Sequence, residues 1–244
     1  MSSLGGNATG TSLYSRLLND IGQSIVRGDL APGDQLPNAD DWSAAHGVSR
    51  TVLREVVKVL ANKGMVEMRP KVGTRVRARE DWNFLDPDVL VWRYGPRTTA
   101  EEARSLFELR RAIEPMAAAL AAERATDEQV AQLRLLLSRM QQAGDDSERF
   151  AIPDLAFHQA ILRMSGNELI GSLAALIETA LVISFRLTDD NPEGQSHSLA
   201  LHQAVVDNIA KRDPIATAKA ITSLLEEAEE DVKRSLVARR ERKS

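Results

Sequence analysis

The sequence contains no cysteine among its 244 residues. This absence excludes a disulfide framework and any cysteine–zinc site, and it is typical of a protein of the reducing cytoplasm. No apolar run approaches the roughly 20 residues that a membrane helix needs. The opening stretch "MSSLGGNATGTS" has neither a basic n-region nor an apolar h-region, so we expect a flexible arm over residues 1–11 rather than a signal peptide.

Recognisable catalytic motifs are also missing. The chain has no P-loop, no G-x-G-x-x-G and no evident Ser/His/Asp set, and its D-x-x-x-H pair lacks the glutamate of H-E-x-x-H. We therefore expect that the protein is not an enzyme. A metal-dependent enzyme built in a helical bundle remains as a remote alternative.

Charge is distributed unevenly along the chain. Residues 1–79 carry a net charge of +4, whereas the remainder carries −8, for a total of −4. A basic first third on an acidic body indicates that one end meets a polyanion and the other end has a different task. The alternative is ordinary unevenness of surface charge.

The first third has the pattern of a winged helix-turn-helix over residues 12–79. Apolar residues recur at helical spacing over 13–26, and a short helix is predicted over 40–46. The glycine turn in "AAHGVS" then leads into a helix that Ser49 caps and Gly64 closes. Two short strands around the turn in "RPKVG" predict a β-hairpin, which would form the wing.

The helix that follows the glycine turn would lie in the DNA major groove, with its N-terminal residues facing base edges. Arg50 and Arg54 lie four residues apart on one face of this helix, where a guanidinium can read guanine bidentately or clamp phosphate. The wing would bring Lys71 and Arg75 to the backbone or the minor groove. The alternative for the two helix arginines is a solvated helix face.

The rest of the chain is predicted to be nearly all helical. The aromatic-rich stretch "EDWNFLDPDVLVW" begins a linker over residues 80–99 that packs down rather than moving freely. Residues 100–237 then read as an antiparallel bundle of about six helices, one of them over 167–187. A polar tail over 238–244 follows. The predicted fold class is thus mainly α: a winged helix-turn-helix of three helices and a hairpin, followed by an all-α bundle.

Several motifs carry a family resemblance that spans nearly the whole chain. The stretches "PGDQLP" and "VSRTVLRE" resemble the DNA-binding domain of the GntR superfamily. The stretches "FELRRAIEPMAAALAAERAT", "DLAFHQAILRMSGN" and "LHQAVVDNIAKRDPIATAKA" resemble the FadR-type effector domain, often called FCD. The linker "WNFLDPDVLVW" is similar to one in sugar-acid regulators of this subfamily, among them galactonate-operon repressors.

The resemblance implies a homodimeric, ligand-responsive transcription factor of the cytoplasm, usually a repressor, that binds double-stranded DNA and no membrane. Two half-sites are also expected physically, because a single winged helix makes few phosphate contacts, so the operator should be palindromic. One departure is Asp40, where many relatives place an arginine. The positions that match the family's DNA contacts are Ser49, Arg50, Thr51, Arg54, Lys71, Gly73 and Thr74.

The resemblance also implies a divalent metal inside the bundle. Asp154 and His158, four apart in "DLAFH", match its first two ligands, and His202 matches the third. The fourth ligand position is Leu224, which cannot coordinate, and His197 is a weaker substitute. An aspartate and two histidines can still hold Zn, Ni or Mn with water or an acidic effector completing the shell. In a metal-free alternative, the same three side chains hydrogen-bond a hydroxy acid directly.

The effector implied by the resemblance is a small organic acid, with a sugar acid favoured and another hydroxy acid or an acyl compound as the alternative. The family often points an arginine into the cavity from the position of Arg110, which would grip a carboxylate. Arg186 and Asn167 are weaker candidates, and Asp154, His158 and His202 complete the predicted effector site. Repression or activation depends on operator position, which the sequence does not contain.

Overall fold

The computed structural model describes residues 13–69, 72–94, 98–144, 146–188 and 193–241. The chain divides into two compact units, Met1–Arg93 and Tyr94–Ser244. The predicted arm over 1–11 and the predicted wing residue Lys71 lie outside the described residues. No helix in the described part of the chain is long and apolar enough to cross a membrane.

The first unit has the predicted order of helix, helix, turn, helix and hairpin, so the winged helix-turn-helix is confirmed. A short 3-10 turn and a further helix follow the hairpin. The elements are α1 (Leu13–Arg27), α2 (Ala39–His46), α3 (Arg50–Asn62), β1 (Val66–Arg69), β2 (Gly73–Val76), a 3-10 turn (Arg79–Asp81) and α4 (Pro87–Arg93).

The core of this unit forms because α1 and α3 each present an apolar stripe. Leu17, Ile21 and Ile25 on α1 are buried, as are Val56 and Leu60 on α3. Their spacing of three to four residues keeps each set on one helix face. The other face of α3 is therefore left at the surface.

The wing is an antiparallel hairpin in which Val66 pairs with Val76 and Arg69 pairs with Gly73. The chain before α2 joins its edge, since the backbone N–H of Leu36 donates to the carbonyl of Thr74 at 2.8 Å. The side-chain amide of Gln35 donates to the carbonyl of Val72 at 2.6 Å. The tip of the wing is thus held by the segment that precedes the helix-turn-helix.

The linker predicted over 80–99 needs correction, because residues 80–93 belong to the first unit. Trp82, Val89 and Trp92 are buried in its core. Trp92 donates from Nε1 to Oδ1 of Asn19 at 2.9 Å, which ties α4 to α1. The burial of these apolar side chains stabilises the docking of the segment on the first unit.

The second unit is an all-helical bundle, as predicted. Its helices are α5 (Ala100–Arg124), α6 (Asp127–Ala143), α7 (Ser147–Met164), α8 (Glu168–Ser172), α9 (Ala174–Thr188), α10 (Glu193–Ala210) and α11 (Pro214–Glu241). Two predicted boundaries were wrong. The helix predicted over 167–187 is broken at Leu173 into α8 and α9, and the predicted tail is helical up to Glu241.

Capping residues begin the first helices of this unit where the sequence favours it. The side chains of Thr99 and Thr126 each accept a hydrogen bond from the backbone N–H three residues on. The side chains of Glu102 and Gln129 in turn accept from the backbone N–H of these capping threonines. These reciprocal capping boxes satisfy backbone N–H groups that the first turn cannot pair. Helix α5 then runs through Pro115 and packs against α7 and α11, and α10 packs against α11 and α6. This arrangement brings α5, α7 and α10 around one interior site.

Candidate functional site

The surface of α3 carries the predicted DNA-reading side chains. Arg50, Thr51 and Arg54 are exposed at the N-terminal end of the helix. Ser49 is the N-cap, and its hydroxyl accepts from the backbone N–H of Val52 at 3.2 Å. The hydroxyl therefore fixes where α3 begins, and two arginines project from the end that would enter a groove.

The other predicted DNA contacts lie in the wing and differ in their exposure to solvent. Gly73 opens β2 with a backbone φ of +101°, which favours glycine, and an added Cβ would lie 2.7 Å from Gln35 Nε2. Thr74 is half-buried and pairs with Met68, whereas Arg75 is exposed opposite Glu67. Gly73 is thus needed for the shape of the hairpin, and Arg75 is an exposed cation of the wing, as is Arg69 at the end of β1.

Inside the second unit, the three predicted ligand residues meet in one buried cluster. Asp154 and His158 come from α7 and His202 from α10, and their side chains are at most 5% exposed. His202 Nε2 lies 2.7 Å from Asp154 Oδ1, and His158 Nε2 lies 3.9 Å from the same oxygen. One ligand atom of each residue lies within 4.8 Å of the others, so the group could hold a metal ion.

The orientation of His202 leaves one ring nitrogen without a hydrogen bond. Its Nδ1 lies 2.8 Å from the carbonyl oxygen of Ser198, which can only accept, so Nδ1 carries the proton. In the neutral ring Nε2 then presents a lone pair. This buried Nε2 has no hydrogen-bond partner among the described residues, because its short approach to Asp154 lacks hydrogen-bond geometry. A cation between the two atoms would satisfy both.

His158 is oriented in the same way by a different group. Its Nδ1 lies 2.5 Å from Oε2 of Glu114, a residue of α5 that is itself buried. Burial alone would raise the pKa of Glu114, but Arg110 and His158 outweigh burial and lower that pKa to about 2. The ionised carboxylate can only accept, so His158 donates from Nδ1 and turns the Nε2 lone pair toward Asp154.

Arg110 is buried as predicted, but its charge is already compensated. Its Nε donates to Oε1 of Glu114 at 2.6 Å. Burial would also raise the pKa of Asp154, yet His202, His158 and Arg110 lower it, so this carboxyl is ionised too. The buried cluster thus contains the Arg110–Glu114 ion pair, a second ionised carboxylate at Asp154 and the two imidazoles that face it.

A cavity of about 310 Å³ opens onto the cluster. Asp154, His158, His202 and Arg110 contribute to its wall, and Leu224 lies in the same wall. Arg186 also lines the cavity, although its side chain is exposed. The cavity is therefore largely apolar with a smaller number of polar groups in its wall, an arrangement typical of small-molecule sites.

Two candidates do not join this site. Asn167 is the N-cap of α8, where its side-chain oxygen accepts from the backbone of Leu169 and Ile170, and it does not line the cavity. The effector role predicted for Asn167 is thus not supported, because the amide is used to begin a helix. His197 is exposed beside Glu227 and is not part of the metal-capable group.

Sequence reasoning missed Glu114. It stands four residues after Arg110 in "RRAIE", which places the two on one helix face, and that spacing is the sequence signal it offers. Its contact with His158 joins residues 44 apart in the chain. Only the packing of α5 against α7 reveals that contact.

Two families match the chain. The GntR family, described as bacterial regulatory proteins, matches residues 13–76, and the FCD domain matches residues 105–227. These spans correspond to the winged helix-turn-helix and to the helical bundle that holds the cluster.

Individual relatives agree with this assignment. The chain is 37% identical to the uncharacterized HTH-type transcriptional regulator YieP of Escherichia coli K12, over 86% of this chain and 90% of that protein. It is 32% identical to the galactonate operon transcriptional repressor of the same organism, over 86% and 92%. A solved structure of Lar, from Listeria monocytogenes, has a TM-score of 0.67 over 93% of this chain and 99% of that one; at 17% identity it shows the shared fold alone.

Proposed function

The chain belongs to the GntR family of bacterial regulatory proteins and has an FCD domain, and we propose that it is a homodimeric repressor that a small organic acid releases from its operator. Its family consists of transcriptional regulators rather than enzymes. The protein is proposed to act in the cytoplasm, on an operator that is palindromic. One half-site would be read by α3 of each protomer, with Arg50 and Arg54 contacting bases or phosphates.

The acid is proposed to bind at a divalent metal held by Asp154, His158 and His202. The observation that carries this proposal is the buried His202 Nε2, which faces the Asp154 carboxylate without a hydrogen bond. An aspartate and two neutral imidazoles suit Zn, Ni or Mn. When bound, such an ion would supply a Lewis-acidic centre for carboxylate and hydroxyl oxygens.

The charges in the cluster favour this reading over direct binding of the acid by the three side chains. Arg110 and Glu114 compensate each other, so with both imidazoles neutral, as metal ligands must be, Asp154 would leave the metal-free cluster with a charge of −1. A carboxylate would be repelled by that cluster, whereas a divalent cation would make it net positive. Metal and acid should therefore strengthen each other's binding, and by linkage the effect is reciprocal.

Leu224 increases this mutual dependence. It is buried in the cavity wall and offers no ligand atom, so the protein supplies three donors from the described residues near this point. Zinc prefers four ligands and the other candidate ions take more. The missing donors would come from water or from the acid, and a 2-hydroxy carboxylate can provide two adjacent oxygens.

A sugar acid is the favoured effector class. The galactonate operon repressor is 32% identical over most of both chains, which supports a sugar acid without identifying it. Other hydroxy acids share the same chelating group, and an acyl compound would depend more on the apolar part of the cavity. These classes are separate arms of the test below.

The proposal can be tested with an operator that the protein selects from random DNA duplexes. Fluorescence anisotropy would follow release of labelled operator by galactonate, gluconate, lactate or a short acyl carboxylate, each with Zn²⁺ and after chelation. We expect one hydroxy-acid class to release DNA with metal present, and Asp154→Asn to remove that response while retaining operator binding. Failure of every acid to release DNA, or an equal response of Asp154→Asn, would overturn the assignment.

A further inference from the structure

We infer that Glu114 is a positioning residue of this metal centre, which selects the tautomer of His158 and directs its Nε2 to the ion. The inference rests on the proposed function, because it assumes that the Asp154 cluster binds metal. It adds a residue from a third helix, α5, to a site whose three ligand side chains come from α7 and α10.

Each of the two oxygens of the Glu114 carboxylate has a hydrogen-bond partner of its own. Its Oε1 accepts from Arg110 at 2.6 Å and its Oε2 accepts from His158 at 2.5 Å. The glutamate is 1% exposed, so water does not compete for these oxygens. Rotation of the carboxylate would break a charge-assisted hydrogen bond in a buried site, which is costly. The imidazole of His158 is therefore held by a rigid acceptor.

The two ligand histidines differ in what holds them. The Nδ1 of His202 faces a backbone carbonyl of its own helix, at Ser198, whereas that of His158 faces an ionised carboxylate from a different helix. A carboxylate partner makes an imidazole a more basic ligand than a carbonyl partner does. We therefore expect His158 to be the stronger donor of the two and Glu114 to control its strength.

Arg110 makes glutamine an informative replacement for Glu114. A glutamine has one acceptor oxygen, and the guanidinium of Arg110 competes for it with a charged donor. The glutamine NH₂ would then face Nδ1 of His158 and move the ring proton to Nε2, where it blocks the metal. Removing the competing donor as well, in Arg110→Met/Glu114→Gln, lets the amide oxygen turn back to His158.

The experiment measures Zn²⁺ affinity of the full chain by competition with a chromophoric chelator, and the His158 tautomer of metal-free protein by ¹⁵N NMR. We expect Glu114→Gln to lose about 10–100-fold in Zn²⁺ affinity, the range for partners of metal-bound histidines. Its ring proton should move to Nε2. The double variant should recover the Nδ1–H tautomer and most of the affinity, which a purely packing role would not predict.

Leu133→Ala is the control, since it creates a cavity in the bundle core away from the donors and should lower stability without changing Zn²⁺ affinity. Wild-type affinity and tautomer in Glu114→Gln would overturn the inference, as would a double variant no better than the single one. If Glu114→Gln does not fold, the double variant, which removes both charges of the Arg110–Glu114 pair, decides by its own tautomer and affinity. A wild type that binds no Zn²⁺ would instead refute the metal centre of the proposed function, and the inference with it.

Discussion

His202 Nε2 lies 2.7 Å from Asp154 Oδ1 in the interior of the second unit, and the geometry between the two atoms is not that of a hydrogen bond. Two buried acceptor atoms this close repel each other unless a proton or a cation lies between them. The Nδ1 of His202 faces the Ser198 carbonyl, so Nε2 is the ring atom available to a cation that would satisfy both His202 and Asp154.

A first prediction concerns stability with and without metal. Zn²⁺ at a free concentration of 100 times its Kd should stabilise the folded protein by about 2.7 kcal/mol. Asp154→Asn removes one ligand together with its carboxylate charge, so it should abolish most of this gain. Calorimetric unfolding with Zn²⁺ and with EDTA measures the difference. An equal metal-dependent shift in wild type and Asp154→Asn would show that the ion binds elsewhere.

A second prediction concerns Leu224. Leu224→His would add a donor to the cavity wall and should tighten Zn²⁺ binding. It should also reduce the factor by which the acid strengthens metal binding, because the acid no longer has to complete the shell. In wild type we expect a coupling of about 1–3 kcal/mol, and in the variant less than half of it.

Isothermal titration of Zn²⁺ with and without the releasing acid measures that coupling. Leu224→Met is the matched control, since it preserves volume and adds no strong ligand for zinc. Unchanged coupling in Leu224→His, with tighter zinc binding, would mean that the acid does not contact the ion.

The parts of this molecule that the sequence predicted are those with local signals. Ser49 caps α3 three residues from the N–H it accepts, and Asp154 and His158 share a face because they are four residues apart. Glu114 was missed because its partner lies on another helix. The aromatics of residues 80–92 predicted that this stretch packs down, but not where, because Trp92 is paired with Asn19, 73 residues earlier, and no local pattern encodes such a contact.

A third prediction tests the recognition helix. Arg54→Ala should weaken operator binding by about 1–3 kcal/mol per half-site if the guanidinium reads a base. If it contacts phosphate instead, the slope of log affinity against log salt should fall by about 0.9 per contact. Anisotropy titrations at several salt concentrations separate the two cases. Arg104→Ala, which removes an exposed arginine of the second unit, is the control and should leave both quantities unchanged.

A fourth prediction concerns the docking of α4 onto α1. A Cβ added at Gly22 would lie 2.5–2.6 Å from ring carbons of Trp92, too close for either side chain to keep its position. Gly22→Ala should therefore destabilise the first unit by about 1–3 kcal/mol, despite the helix propensity that alanine gains. Gly171→Ala is the control, because nothing lies within 4 Å of the added carbon in α8, and it should be neutral or slightly stabilising.

Urea unfolding followed by tryptophan fluorescence measures Gly22→Ala, since Trp82 and Trp92 both lie in the first unit's core, and far-UV circular dichroism, to which the helical second unit contributes, measures Gly171→Ala. The double variant Gly22→Ala/Trp92→Leu should regain part of the lost stability, because leucine is smaller than tryptophan and leaves room for the added methyl group. If Gly22→Ala is as stable as wild type, α4 does not dock on α1 through this contact.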